Sequence, residues 1–194
     1  MNKALKVAKL IRIVTVVPVM ALVMLSVLYG LRPDIFQETS NFILAIIFLT
    51  VFPLLAYPLQ PLLPKFRNKG REGQRNLAIV MSDLGYLLGI VSGIYFQASK
   101  ELLLIYLAYL ISGMGILLFN KVLKIRASGH ACGITGPITL LTYFIGLRVL
   151  ESVVTIVLVY WASLKLQRHT VSQLLWGSVI PLFALKMALF CINV

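Results

Sequence analysis

Acidic side chains are scarce. Six Asp and Glu stand against 18 Lys and Arg, and charged residues make up only 12% of the 194 positions. So few carboxylates, none of them clustered in the basic loops, argue against a magnesium-dependent phosphoryl site, which is built from oxygen ligands. They argue equally against a phosphatidyltransferase, which would need such a cluster. Cysteine is just as thin. Cys132 and Cys191 lie far apart in apolar stretches, without disulfide or metal spacing, and read as small buried residues. Long polar stretches are missing too: the longest is 65–76, which leaves no room for a soluble domain. No repeat or low-complexity region is apparent.

What is present is apolar. Hydrophobic residues are 60% of the chain, and a soluble domain of this size needs more polar surface than that. The net charge of +12 would point to nucleic acid in a soluble protein. Here the basic stretches are short and sit between long apolar runs, so nucleic acid is not expected as a partner. The cations read as membrane-side anchors and contacts to lipid headgroups. Lys3, Lys6, Lys9 and Arg12 precede an apolar run in the manner of a signal peptide, but that run is long and no small-x-small cleavage site follows. It reads as an uncleaved first helix.

The fold class expected is all-α: a polytopic membrane helical bundle, one integral membrane domain over 1–194. Seven apolar segments can be drawn, at 13–31, 41–63, 77–97, 102–119, 131–147, 152–164 and 171–192, the fifth and sixth being short. The charges orient them. Lys3, Lys6, Lys9 and Arg12 in the tail fall on one side, with Lys65, Arg67, Lys69, Arg71 and Arg75 in the second loop. Lys121, Lys124 and Arg126 in the fourth loop, and Lys165 and Arg168 in the sixth, fall there too. Only Arg32, Lys100 and Arg148 fall on the other side, and Lys186 lies within the last span. The excess of cations marks the cytoplasmic side and puts the N-terminus there. Size and compactness suit a prokaryotic cytoplasmic membrane.

Chemistry concentrates on that basic side. His130 stands where the fourth loop meets the fifth span, near Lys124, Arg126, Ser128 and Gly129. His169 stands between the sixth and seventh spans, beside Lys165 and Arg168. A helix start offers free amides and a positive dipole to phosphate. Cations hold phosphoryl oxygens. One histidine can attack phosphorus while the other protonates the leaving oxygen. Such a site needs no metal or cofactor.

Two of these stretches carry a family resemblance. Ala127-Ser128-Gly129-His130, and His169-Thr170-Val171-Ser172-Gln173 with Gly177 following, resemble motifs of the type 2 phosphatidic acid phosphatase superfamily. Those helical enzymes remove phosphate from lipid phosphates and prenyl diphosphates. The resemblance runs from about residue 102 to 192. It implies a phosphatidic acid phosphatase-like core, with His169 as nucleophile, His130 as general acid, Lys124 as the first-motif lysine and the Ser128 and Gly129 amides as phosphate ligands. The sequence departs from the pattern in several places. Gln173 stands where the family carries an Asp that orients the nucleophile, and a Gln oxygen accepts the same hydrogen bond but brings no charge. The family's Ser-Arg falls on Ala162-Ser163, leaving Arg168, Lys165 or Arg126 to replace the arginine. Ala127 stands where the family has Pro, and there is no Arg-Pro in the first motif. Two functions follow: a membrane phosphatase acting on a lipid phosphate or polyprenyl diphosphate through a phosphohistidine, or a catalytically degenerate binder or transporter of lipid phosphate on the same scaffold.

Other residues invite readings of their own. Asp83 lies inside the third span, about two turns (~10 Å) from the basic loop. It is either an internal helix-to-helix partner or the carboxylate that Gln173 lacks. Arg71 and Arg75 belong to the densest basic loop, either a topology anchor or a rim gathering anionic headgroups. Pro18, Pro53, Pro58, Pro61 and Pro64 read as kinks, or as a re-entrant end to the second span. Gly85, Gly89 and Gly93, and Gly129, Gly133 and Gly136 with Pro137, read as close helix packing.

Overall fold

The computed structural model describes residues 3–146 and 153–192, and these are helical almost throughout, with no strand among them. The order is α1 (Lys3–Val14), α2 (Val17–Leu31), α3 (Thr39–Ile46), α4 (Phe52–Leu59), α5 (Pro64–Arg67), α6 (Gly70–Tyr95), α7 (Lys100–Leu117), α8 (Gly129–Ile145), α9 (Val153–Lys165) and α10 (Val171–Ile192). Arg148 and Glu151, the charges of the fifth connection, lie outside the described residues, as does the end of the expected span 131–147.

Among the described residues four helices are long and apolar enough to cross a membrane: Thr39–Leu62, Gly70–Tyr95, Lys100–Val122 and Val171–Ile192. The bent pair α1–α2 makes a fifth if it is one span. Over the described residues α8 and α9 run ~26 and ~20 Å at ~1.5 Å per residue, against a ~30 Å hydrocarbon core. The outward faces are apolar: on α6, Val80, Leu84, Leu87, Val91 and Ile94 form an exposed stripe at three- and four-residue spacing. Solvent-facing helices do not present such a stripe, and lipid-facing ones do. This is a helical membrane protein.

Two expected segments differ in detail. The first, 13–31, is not one helix. Pro18 has no N–H to give the preceding turn, the chain breaks at Thr15–Val16, and α1 leaves α2 at 57°. The second basic loop is largely helical: 65–67 belong to α5, and Arg71 and Arg75 stand on the first turns of α6. Asp83 is therefore thirteen residues from the start of its helix, ~20 Å along the axis, and eight residues, ~12 Å, from Arg75.

Prolines shape the second segment as well. Pro53 cannot bond the carbonyl four residues back, and the chain passes through a π turn at Ile47–Val51 just before it. A second π turn, Leu118–Val122, ends α7.

The core lies where α2, α7, α8 and α10 meet, around Met24, Leu25, Leu28, Leu104, Tyr106, Leu140 and Ala188. α6 presents its glycines inward: Gly85 meets the Phe48 carbonyl, Gly89 the Tyr106 ring and Gly93 the Leu103 side chain. Gly133 lies against Val17, while Gly129 faces open space. Thr135, Tyr160 and Ser178 form a hydroxyl relay, 3.1 and 2.6 Å, that ties α8, α9 and α10 together.

The ends of the helices sort into two groups. Arg32 donates to the Phe144 carbonyl and Ser99 to the Ile35 carbonyl, which gathers the first and third connections and the end of α8 at one end. The basic connections gather at the other.

Gly89→Val tests the packing. A branched side chain must displace the Tyr106 ring, a cost of about 1–3 kcal/mol for overpacking. The expected outcome is a lower midpoint for thermal unfolding in detergent, with helix content unchanged before the transition.

Candidate functional site

The site begins where two helices start against each other. α10 opens with Thr170-Val171-Ser172-Gln173, a reciprocal cap. The Gln173 N–H donates to Thr170 Oγ1 and the Thr170 N–H to Gln173 Oε1, both at 3.4 Å. The same Oε1 lies 3.0 Å from His169 Nδ1. An amide oxygen only accepts, so the proton sits on Nδ1 and Nε2 keeps its lone pair. The Thr170 backbone N–H, which can only donate, fixes this end of the amide as oxygen.

α8 opens with Ser128, whose Oγ accepts the Ala131 N–H at 3.2 Å. The Ser128 N–H donates to the Gln173 carbonyl at 2.9 Å, and Gly177 leaves room for the Ser128 carbonyl on the facing helix. Any side chain at 177 would collide with that carbonyl. Ser128 is fully buried and its amide is taken. It therefore holds the two helix starts together and has no amide left for a phosphate, contrary to the expectation from sequence.

His130 points toward α1. Its Nε2 lies 3.1 Å from Thr15 Oγ1, and the Thr15 hydroxyl donates its only proton to the Ile11 carbonyl at 2.6 Å. Thr15 can then only accept, so His130 Nε2 carries a proton and donates it. One turn earlier, Arg12 Nη1 donates to Ser163 Oγ at 2.7 Å. Ser163 is the position where the resembling pattern has arginine, and here a guanidinium reaches it from α1.

These groups share one cavity of about 690 Å³. Arg12, Arg71, Arg75, Arg126, Arg168, Gly129, His130 and His169 line its cationic part, with Glu72 among them. Ser82, Asp83, Tyr86, Tyr109 and Ser112 line another part, formed by α6 and α7. The Asp83 carboxylate lies where a β-carbon on residue 113 would sit, and its Oδ1 is buried without a hydrogen-bond partner. Asn120, on the second π turn, donates to the Ala127 carbonyl at 3.3 Å and also faces the cavity. Among the described residues no three His, Cys, Asp or Glu side chains converge as metal ligands would.

Of the residues expected from sequence, His130, His169, Gly129, Arg126, Arg168, Arg71, Arg75 and Asp83 line this one cavity. Gln173 stands directly behind His169. Lys124 and Lys165 do not line the cavity; both are exposed, Lys124 with φ +55°. Arg12 and Thr15 were not foreseen. The signals that could have found them are the three-residue spacing of Lys3, Lys6, Lys9 and Arg12, which ends in the one arginine, and the break implied by Pro18. The Thr-x-x-Gln cap was equally readable.

Comparison with family models, with curated proteins and with solved structures gives no match.

His169 titrates below the ordinary histidine range. Burial is the main cause, and Arg12 and Arg75 add to it, against the hydrogen bond to Gln173, which acts the other way. A neighbouring cation disfavours the imidazolium, so removing one raises the pKa. Histidine-selective NMR titration should give a midpoint below 6.5 for His169. The midpoint should move up in Arg75→Ala, and also in Gln173→Glu, which puts a carboxylate beside Nδ1. A midpoint insensitive to both changes would separate His169 from these neighbours.

Proposed function

We propose that this chain is a metal-independent membrane phosphatase that releases phosphate from a lipid phosphate or polyprenyl diphosphate. The observation that carries the reading is the Ser128–Gln173 backbone bond. It sets two histidine-bearing helix starts at one cavity with five arginines, whose charges suit a phosphate.

His169 Nε2, its lone pair freed by the Nδ1–H···Gln173 bond, attacks phosphorus. An N–P bond forms as the P–O bond to the lipid breaks, and the departing oxygen takes the proton of His130 Nε2–H. Water then attacks phosphorus and gives a proton back to His130, and the N–P electrons return to His169. The guanidiniums of Arg12, Arg126 and Arg168 and the Gly129 amide stabilise the charge on the phosphoryl oxygens. In this reading Arg12, hydrogen-bonded at Ser163, serves as the phosphate-binding arginine that the third motif lacks. The bundle crosses the membrane seven times, with the N-terminus and the cationic cavity on the cytoplasmic side. The grouping of the basic connections at one end supports that topology.

One observation favours the second reading, a binder or transporter of lipid phosphate. The partner of His169 is a neutral amide, which does not stabilise the imidazolium charge that a carboxylate would.

Phosphate release from a panel of lipid phosphates and prenyl diphosphates, measured in detergent with EDTA, decides between them. Wild type should release phosphate and His169→Ala should not. Binding without release from any substrate would favour the binder. Arg12→Ala should lose about 1.5–3 kcal/mol of charge-assisted phosphate binding, an order of magnitude or more in kcat/KM. Asp83→Asn should leave turnover unchanged, because Gln173 and not Asp83 meets His169. A dead Asp83→Asn enzyme would put that carboxylate into the mechanism.

A further inference from the structure

We propose that the aliphatic chain of the ligand leaves the cationic cavity sideways, through a cleft between α1 and α4, so that the ligand is a long-chain lipid phosphate drawn from the bilayer and not a water-soluble one. The proposal rests on the phosphate reading of the cavity and adds the class of ligand and its route.

A second cleft, of about 560 Å³, opens from the wall of the first. Arg12, Val16, Tyr57, Arg71 and Arg168 belong to both. Beyond these shared residues the cleft adds Ile13, Leu54 and Leu166, with Lys9 on its edge. It is therefore apolar along one side and carries guanidiniums at its junction with the main cavity, an arrangement complementary to an amphiphile with an anionic head. Arg12 and Ile13 of α1 and Leu54 and Tyr57 of α4 line it together, so the two helices border the same cleft. Ile13 and Leu54 are exposed, 68% and 38%, and present hydrocarbon where the cleft meets the surroundings.

The chain's own irregularities make this opening. The break at Thr15–Val16 swings α1 away from the axis of α2. Pro53 and Pro58 stand in α4, and a 3₁₀ turn at Gln60–Leu62 follows it. Helices carrying these interruptions cannot run side by side in continuous contact.

The other direction suits a hydrocarbon chain poorly. Between α6 and α7 the main cavity is lined by Ser82, Ser112, Tyr86 and Asp83 as well as by Ile79 and Ile116, and the Asp83 Oδ1 is buried without a hydrogen-bond partner. A chain laid there would strip water from a carboxylate and offer it no hydrogen bond, which is unfavourable. A chain in the α1–α4 cleft meets Ile13, Val16, Leu54 and Leu166 instead.

The test uses the full chain in nanodiscs with a phosphatidic acid bearing a photoactivatable diazirine on one acyl chain. Peptide mapping after irradiation should place the label on α1 and α4, around Ile13 and Leu54, and unlabelled long-chain phosphatidic acid should compete it away. Label on the outer face of α6, label beside Asp83, or no specific label would overturn the proposal. Ile13→Trp and Leu54→Trp fill the cleft without lining the main cavity. Each should lower kcat/KM for a long-chain lipid phosphate by about tenfold or more while sparing a short-chain soluble phosphate. Equal effects on both would overturn the route. Label in the cleft without any phosphate release would end the phosphatase reading and leave the route standing. Release with label elsewhere would do the reverse.

Discussion

A single backbone hydrogen bond, from the Ser128 N–H to the Gln173 carbonyl, organises the cationic end of this molecule. Helix starts normally repel one another, because each carries unsatisfied N–H groups and the positive end of a dipole. Here one start supplies a carbonyl to the other's amide, and Gly177 removes the side chain that would keep them apart. The hydroxyl relay of Thr135, Ser178 and Tyr160 holds the same helices farther along. With the starts fixed, Gln173 does two jobs. Its backbone carbonyl anchors α8, and its side-chain oxygen caps α10 while holding the His169 ring.

The apolar segments were readable because lipid imposes a simple rule: a helix that crosses it must be apolar over most of its length. Their ends were less readable, because capping and proline effects decide them locally. The second basic loop looked like a loop for its charge density, yet Arg71 and Arg75 are good helix formers and sit within α6. The two histidine stretches were visible through motif resemblance. Their approach to each other was not, since it depends on a backbone bond and one glycine. Lys124 and Lys165 show the limit of charge counting. Both flank the right segments, but the direction of a side chain follows from φ and helix phase, and neither lines the cavity. Arg12 and Thr15 escaped notice because only the 57° break brings α1 over α9 and the start of α8.

The cavity holds two environments within one volume. Its five arginines form a strongly positive region in which an anion gains more than it would in water. Its α6–α7 wall holds a carboxylate and several hydroxyls among apolar side chains. An anion is thus drawn to one part of the cavity and discouraged from the other. That asymmetry gives an anion a defined resting position.

Two contacts of this site bridge 151 and 115 residues, from Arg12 to Ser163 and from Thr15 to His130. Residues near 12 leave the ribosome long before residues near 163, and domains fold as synthesis proceeds. α1 must therefore wait until α8 and α9 are in place before its arginine and threonine find their partners. A nascent chain caught midway holds Arg12, Arg71 and Arg75 but neither histidine, and completion of the site coincides with completion of the bundle.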